Sequence, residues 1–164
     1  MDSAGPGIQV LDLATGSGNA ALIAAQIGAV VTAVDFEPVL IELAEQRALS
    51  AGVDIHWLLG DLEDLPVSDS SADVVLSVFG VMYAADHAAA ARELDRVTAP
   101  GGRVVLASWQ PGGFIPATGA RSSAIFFLHH RQAVACPAAG EIPKLCGAFF
   151  KRPTCGSWTR SLST

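Results

Sequence analysis

Short apolar runs punctuate the first two thirds of the chain at residues 8–13, 30–34, 55–59, 72–77 and 103–108. Each is of strand length, and the second, Val30-Val31-Thr32-Ala33-Val34, carries a charge only at its exit, as expected of a strand buried on both faces. Between the runs lie segments of helical character. An alanine-rich stretch over 19–27 is stopped by Gly28. The segment 38–51 has Pro38 at its start, Glu42 and Glu45 early, Arg47 late and Gly52 just beyond, which is the polarity of a helix. The segment 88–97 turns Leu94 and Val97 inward and is stopped by Pro100-Gly101-Gly102. Strands alternating with helices predict an α/β fold with a doubly wound, mostly parallel sheet and right-handed crossovers. Ligands of such sheets bind outside the carboxyl ends of the strands.

The first strand runs straight into a glycine-rich turn, Asp12-Leu13-Ala14-Thr15-Gly16-Ser17-Gly18-Asn19, and then into the first helix. Gly16 and Gly18 let the backbone turn sharply and let a ligand approach its N–H groups, while the helix starting near Asn19 aims its positive end at the same place. Asp35 ends the second run, where a β-α-β unit puts a carboxylate against ribose hydroxyls. Read as Gly16-x-Gly18-x-x-Ala21, the turn fits a dinucleotide site. Asp12, four residues before Gly16, weighs against that, because a carboxylate is unfavourable beside a doubly charged pyrophosphate and tolerable beside a sulfonium cofactor with a cationic amino group.

Read as Asp12-x-Ala14-x-Gly16-x-Gly18, the turn resembles motif I of the class I S-adenosylmethionine-dependent methyltransferases, in which glycine is the commonest residue at the Ala14 position. Leu59-Gly60-Asp61-Leu62, the run 73–80 and Pro100-Gly101-Gly102 with the strand after it are similar to later motifs of that family, in the family's order. The resemblance is to the ubiquinone/menaquinone-biosynthesis-like, type 11-like branch and spans residues 8–115. It implies S-adenosyl-L-methionine as cofactor, a Rossmann-like methyltransferase core, and methyl transfer to a small organic acceptor. By the same resemblance, the cofactor-binding residues are Asp12, Ala14, Gly16, Gly18, Asp35, Phe36, Asp61, Leu62, Ser77 and Phe79. Asp35 then meets the ribose, Phe36 the adenine face and Asp61 the adenine amino group, with Ser77 and Phe79 near the transferred methyl.

The residues themselves leave alternatives open. Asp12 suits organising the turn through backbone N–H groups, Asp61 suits capping its own turn, and Phe36 and Phe79 suit packing. Tyr83, Asp86 and His87 are the titratable side chains that shortly follow the fourth strand and are the candidates for a general base. No catalytic residue is assigned, because displacement from a sulfonium needs orientation more than a base.

The chain has 164 residues, an apolar fraction of 51% and a net charge of −6, which fits one domain and argues against nucleic acid as a partner. The longest apolar stretch, 20–34, is interrupted by Gln26, Gly28 and Thr32 and does not read as a membrane span, and residues 1–7 hold no Lys or Arg of a secretory signal. A cytoplasmic enzyme with a small-molecule substrate is expected. The charge is uneven: residues 1–115 carry 15 acids and 4 bases, residues 116–164 one acid and 6 bases. Cys136, Cys146, Cys155 and the pair His129-His130 lie in the second part without a Cys-x-x-Cys pair, so no metal is expected.

The chain therefore divides into a cofactor-binding core, 1–115, and an atypical tail, 116–164, for which a shifted reading frame is one origin. The family's cap helices upstream and its C-terminal hairpin are expected to be missing. The only hairpin candidates are Ile125-Phe126-Phe127-Leu128 and Ala148-Phe149-Phe150. An uncovered fifth strand would then invite self-association. The alternatives are an NAD(P)-dependent oxidoreductase using the same turn, or a truncated cofactor-binding fragment without turnover.

Overall fold

A computed structural model describes residues 6–108 and the backbone of 109 and 123–129. The elements are β1 (Gln9–Leu13), α1 (Asn19–Gln26), β2 (Val30–Asp35), α2 (Pro38–Ala51), β3 (His56–Leu59), β4 (Ala72–Val78), a 3-10 turn (Val81–Tyr83), α3 (His87–Val97), β5 (Thr98–Trp109) and β6 (Ser123–His129). They form a single sheet in the order β3-β2-β1-β4-β5-β6. β1 to β5 run parallel and β6 runs antiparallel to β5. The order reverses at β1, which pairs with β2 on one side and β4 on the other, so the carboxyl end of β1 is the switch point of the fold.

Strand alternation divides the apolar residues between two cores, one on each face. Leu11, Leu13, Val34, Val75, Val104 and Leu106 pack with Leu94 and Val97 of α3. Val10, Val31, Ala33 and Val74 pack with Ala21, Leu22 and Ala24 of α1 and Ala48 of α2. Both faces are covered, which accounts for the unbroken apolar runs.

The helix ends follow their local chemistry. α1 begins at Gly18 in the left-handed region (φ 79°), and α2 begins where the Glu37 side chain accepts from the Val39 N–H, with Pro38 next, and ends at left-handed Gly52. α3 starts one residue before the expected 88, because Asp86 Oδ1 accepts from the N–H groups of Ala88 and Ala89 at 2.8 and 3.1 Å.

Two expectations change. Pro100-Gly101-Gly102 does not precede β5 but sits inside it. Thr98 pairs with Ala72 and Arg103 with Val74, so five steps along β5 match two along β4, and the excess is taken up in a bulge with Gly101 at φ 82°. The edge of β5 is also not bare, as the expected lack of a C-terminal hairpin would have left it: one strand from the second part of the chain lies on it. β6 pairs with it from Arg103↔His129 to Trp109↔Ser123 and contains the candidate run 125–128. The unpaired edge that motivated self-association is therefore covered. The second candidate, 148–150, lies outside the described residues.

Candidate functional site

The glycine turn is pinned between β1 and β2. The Thr15 N–H donates to the Val34 carbonyl at 3.1 Å, and the Gly18 N–H donates to the Thr15 carbonyl at 3.0 Å. Its two glycines serve different ends. At Gly16, φ is 57° and a Cβ would meet nothing within 4 Å, so this position faces open space. At Gly18, φ is 79° and a Cβ would come within 3.0 Å of Trp57 and 3.1 Å of Ala44. The room left where a Gly18 side chain would stand is thus taken up by packing against β3 and α2.

Asp12 lies beneath the turn and is 1% exposed. Its Oδ2 accepts from Thr15 Oγ1 at 2.6 Å and from the Ala21 N–H at 3.0 Å, so it joins the turn to the first coil of α1. Burial pushes its carboxyl up to about 6; the two hydrogen bonds oppose that rise and the nearby Asp35 charge adds to it. Asp35, 6% exposed, accepts from the Gly16 N–H through Oδ2 at 2.7 Å and from the Glu37 N–H through Oδ1 at 3.0 Å. The end of β2 and the start of the turn are thus joined through one carboxylate.

The neighbouring strand ends complete the rim. The Gly60 N–H donates to the Asp35 carbonyl at 3.0 Å, which brings the segment containing Asp61 beside β2. Asp61 is exposed, and its Oδ1 accepts from the Glu63 N–H at 2.9 Å in a local turn. Leu62 packs against the α3-side core. Phe36 projects from the end of β2 and is 75% exposed, so it is no part of the core. Ser77 is buried: its Oγ donates to the Leu13 carbonyl at 2.9 Å and accepts from the Val81 N–H at 3.1 Å, fastening β4 to the end of β1. Phe79 is half-buried in the left-handed region (φ 61°), with its N–H donating to the Ala107 carbonyl at 2.9 Å. Ala14 is also left-handed (φ 51°).

Two residues were missed from sequence. Gly80 follows Phe79, and a Cβ there would lie 2.3 Å from the Ala14 Cβ and 2.9 Å from Ser77 Oγ, so the β4 loop touches the glycine turn only because position 80 has no side chain. Arg47, which the sequence offered only as helix polarity, reaches from α2 to Ser17 and Asn19 of the turn. The available signal was its place on the face of Ala44 and Ala48, the small buried residues of α2.

Of the general-base candidates, Tyr83 is exposed, His87 opens α3, and Asp86 is engaged in capping, its two backbone hydrogen bonds holding it below the usual carboxylate range. Among the described residues there is no group of metal-binding side chains. The three cysteines and His130 lie outside the described residues, and His129 is described by its backbone alone.

The methyltransferase domain family matches residues 11–106. An uncharacterised protein of Mycobacterium tuberculosis is 44% identical over 110 residues, which is 67% of this chain and 40% of that protein. Demethylmenaquinone methyltransferase of Thermus thermophilus is 39% identical over 105 residues, 63% of this chain and 48% of that enzyme. The chain thus spans less than half the length of these relatives. Among solved structures, the YcgJ protein from Bacillus subtilis superposes with a TM-score of 0.63 at 28% identity, covering 66% of this chain and 47% of that one.

Proposed function

The chain belongs to the methyltransferase domain family, and on that premise we propose that it binds S-adenosylmethionine at the carboxyl ends of β1 and β2 and transfers its methyl group to a small organic acceptor. The observation that carries the reading is the Asp35 carboxylate, held between the Gly16 and Glu37 amides beside the open face of Gly16. Each of its oxygens keeps a lone pair for a hydroxyl donor, which is what a ribose offers. The exposed Phe36 ring next to it suits an adenine face. Asp61, on the strand-end segment tied to Asp35, suits an amino-group donor.

The donor set fits this cofactor better than a dinucleotide. Asp12, Asp35 and Asp61 put acids around the site, favourable to hydroxyls, an amine and a sulfonium and unfavourable to a pyrophosphate. When bound, S-adenosylmethionine supplies an activated methyl group on a positively charged sulfur. The chain's own part is to bind and orient. Gly16 leaves backbone accessible, Asp35 fixes the ribose end, and Ser77 with Phe79 sets the β4 loop against β1 where an acceptor would enter. Such orientation supplies much of the acceleration for an in-line displacement.

Residues 1–115 are taken as the unit that holds the cofactor, and a cytoplasmic setting belongs to the same reading. Among the described residues, no helix is long and apolar enough to cross a membrane. Calorimetric titration with S-adenosylmethionine, S-adenosylhomocysteine, NAD and NADP tests the assignment. Binding of the first two alone is expected; binding of a nicotinamide nucleotide in their place would transfer the site to the oxidoreductase reading.

A further inference from the structure

Arg47 lies on α2 between Ala44 and Ala48, whose burial draws the helix close to the sheet. From there its guanidinium crosses to the glycine turn. Nη1 donates to the Ser17 carbonyl, to Ser17 Oγ at 3.0 Å and to Asn19 Oδ1 at 2.8 Å. Ser17 stands between the two left-handed glycines and Asn19 is the first residue of α1. A cation at this end of a helix opposes the helix dipole. The placement is therefore unfavourable unless the acceptors themselves hold it, and here the turn presents all of them on one side.

Building on the cofactor reading above, we propose that Arg47 is a positioning residue for S-adenosylmethionine. It locks the segment 16–19 in the conformation whose opposite side is open at Gly16. The turn needs such a lock. Two glycines in four residues give it many alternative conformations when free, and each would have to be given up on binding. The other restraints act on either side of Ser17: Asp35 holds the Gly16 N–H from β2, Asp12 holds Thr15 and Ala21 from below, and the Gly18 N–H closes back on the Thr15 carbonyl. Arg47 alone among these holds Ser17, and it does so from α2, leaving the Gly16 face clear.

The test is calorimetric binding of S-adenosylhomocysteine to the full chain and to Arg47→Met and Arg47→Lys, with amide hydrogen exchange at 16–19 measured free and bound. Arg47→Met is expected to bind roughly ten-fold more weakly, with the loss in the entropy of binding. Its 16–19 amides should exchange faster than wild type when free and equally when bound. Arg47→Lys, which keeps a donor able to reach the Ser17 carbonyl, should recover most of the affinity. A merely structural role would lower thermal stability without moving the entropy of binding or the local exchange. Should Arg47→Met fail to fold, Arg47→Gln gives the same comparison. Wild-type binding matched by the Met or Gln variant overturns this inference alone, whereas a wild type that binds neither S-adenosylhomocysteine nor S-adenosylmethionine overturns the cofactor reading and this inference with it.

Discussion

Ala14 and Gly80 face each other across the gap between the glycine turn and the β4 loop, and each explains the other. Ala14 holds a left-handed backbone in which an alanine is strained by about 1–2 kcal/mol, and its methyl fills the space that Gly80 leaves. Gly80→Ala should cost about 1–3 kcal/mol by overpacking. Part of that should return in the double variant with Ala14→Gly, with Ser77 Oγ still crowding the new methyl. Urea denaturation of the four proteins measures the coupling, and strict additivity would remove the contact. Asp12 gives a pH signature. Burial holds its carboxyl at about 6 when folded against an ordinary aspartate value of 3.8, so the folded chain binds the proton more tightly. Stability therefore falls as pH rises from about 4 to about 6, by an amount on the order of 3 kcal/mol. Glu93 has the opposite sign: the Arg96 hydrogen bond holds it below the ordinary glutamate value of 4.5, so its contribution is present above 4.5 and lost at lower pH. Asp12→Asn should flatten stability between pH 4.5 and 6 in urea titrations; an unchanged slope would show that another group titrates there. Asp35→Ala should weaken S-adenosylhomocysteine binding by roughly ten-fold or more, through lost bonds to a charged acceptor, and calorimetry with unaltered affinity would withdraw the ribose role.

At the scale of elements, the segment between β3 and β4 is tied to α3 by one arginine as well as by the buried Leu65. Arg96 of α3 donates to the Leu65 and Val67 carbonyls at 3.0 and 2.8 Å and pairs with Asp69 and Glu93, while Glu93 accepts from the Leu65 N–H. Arg96→Met should take the guanidinium donors from both carbonyls, leaving Leu65 with the Val67 N–H alone, and destabilise the fold by about 1–3 kcal/mol. Limited proteolysis should then cut within 65–70 first; cleavage elsewhere would locate the weakest point outside this segment. Sequence revealed the elements well where their boundaries have local causes. Pro38 and Gly52 bracket α2, and the apolar runs give β1 to β4 to within a residue or so. It was silent where the cause is distant. The bulge at 99–102 is defined only by β4, and β6 is a short apolar run whose meaning comes from pairing with β5. In the site, the glycine turn and Asp35 were legible because spacing along the chain carries them. The inward side of Gly18 depends on Trp57 and leaves no local trace, whereas Arg47 is marked along the chain only by its place beside Ala44 and Ala48, its partner lying 30 residues away.

For the molecule as a whole, β6 covers the β5 edge and is itself the outer strand of the described sheet, so protected amides over 103–109 are expected, with light scattering of the full chain as the reference for association. Removing residues 116–164 should uncover that edge and raise association; equal behaviour of the two forms would show that the edge is protected by other means. The central place of β1 also sets an order of events in time. Its partner β2 is close along the chain, Gln9 pairing with Val30, whereas its partner β4 is remote, Val10 pairing with Val74 and Ser77 reaching Leu13 across 64 positions. Closing the longer loop costs about 1 kcal/mol more in chain entropy. During synthesis, β1 must wait with one side unpaired until residue 78 has emerged, and the Ala14–Gly80 contact cannot form before then. The rim around the glycine turn is thus complete only once Gly80 has emerged, which makes it a late product of chain growth although its first residues are among the earliest made.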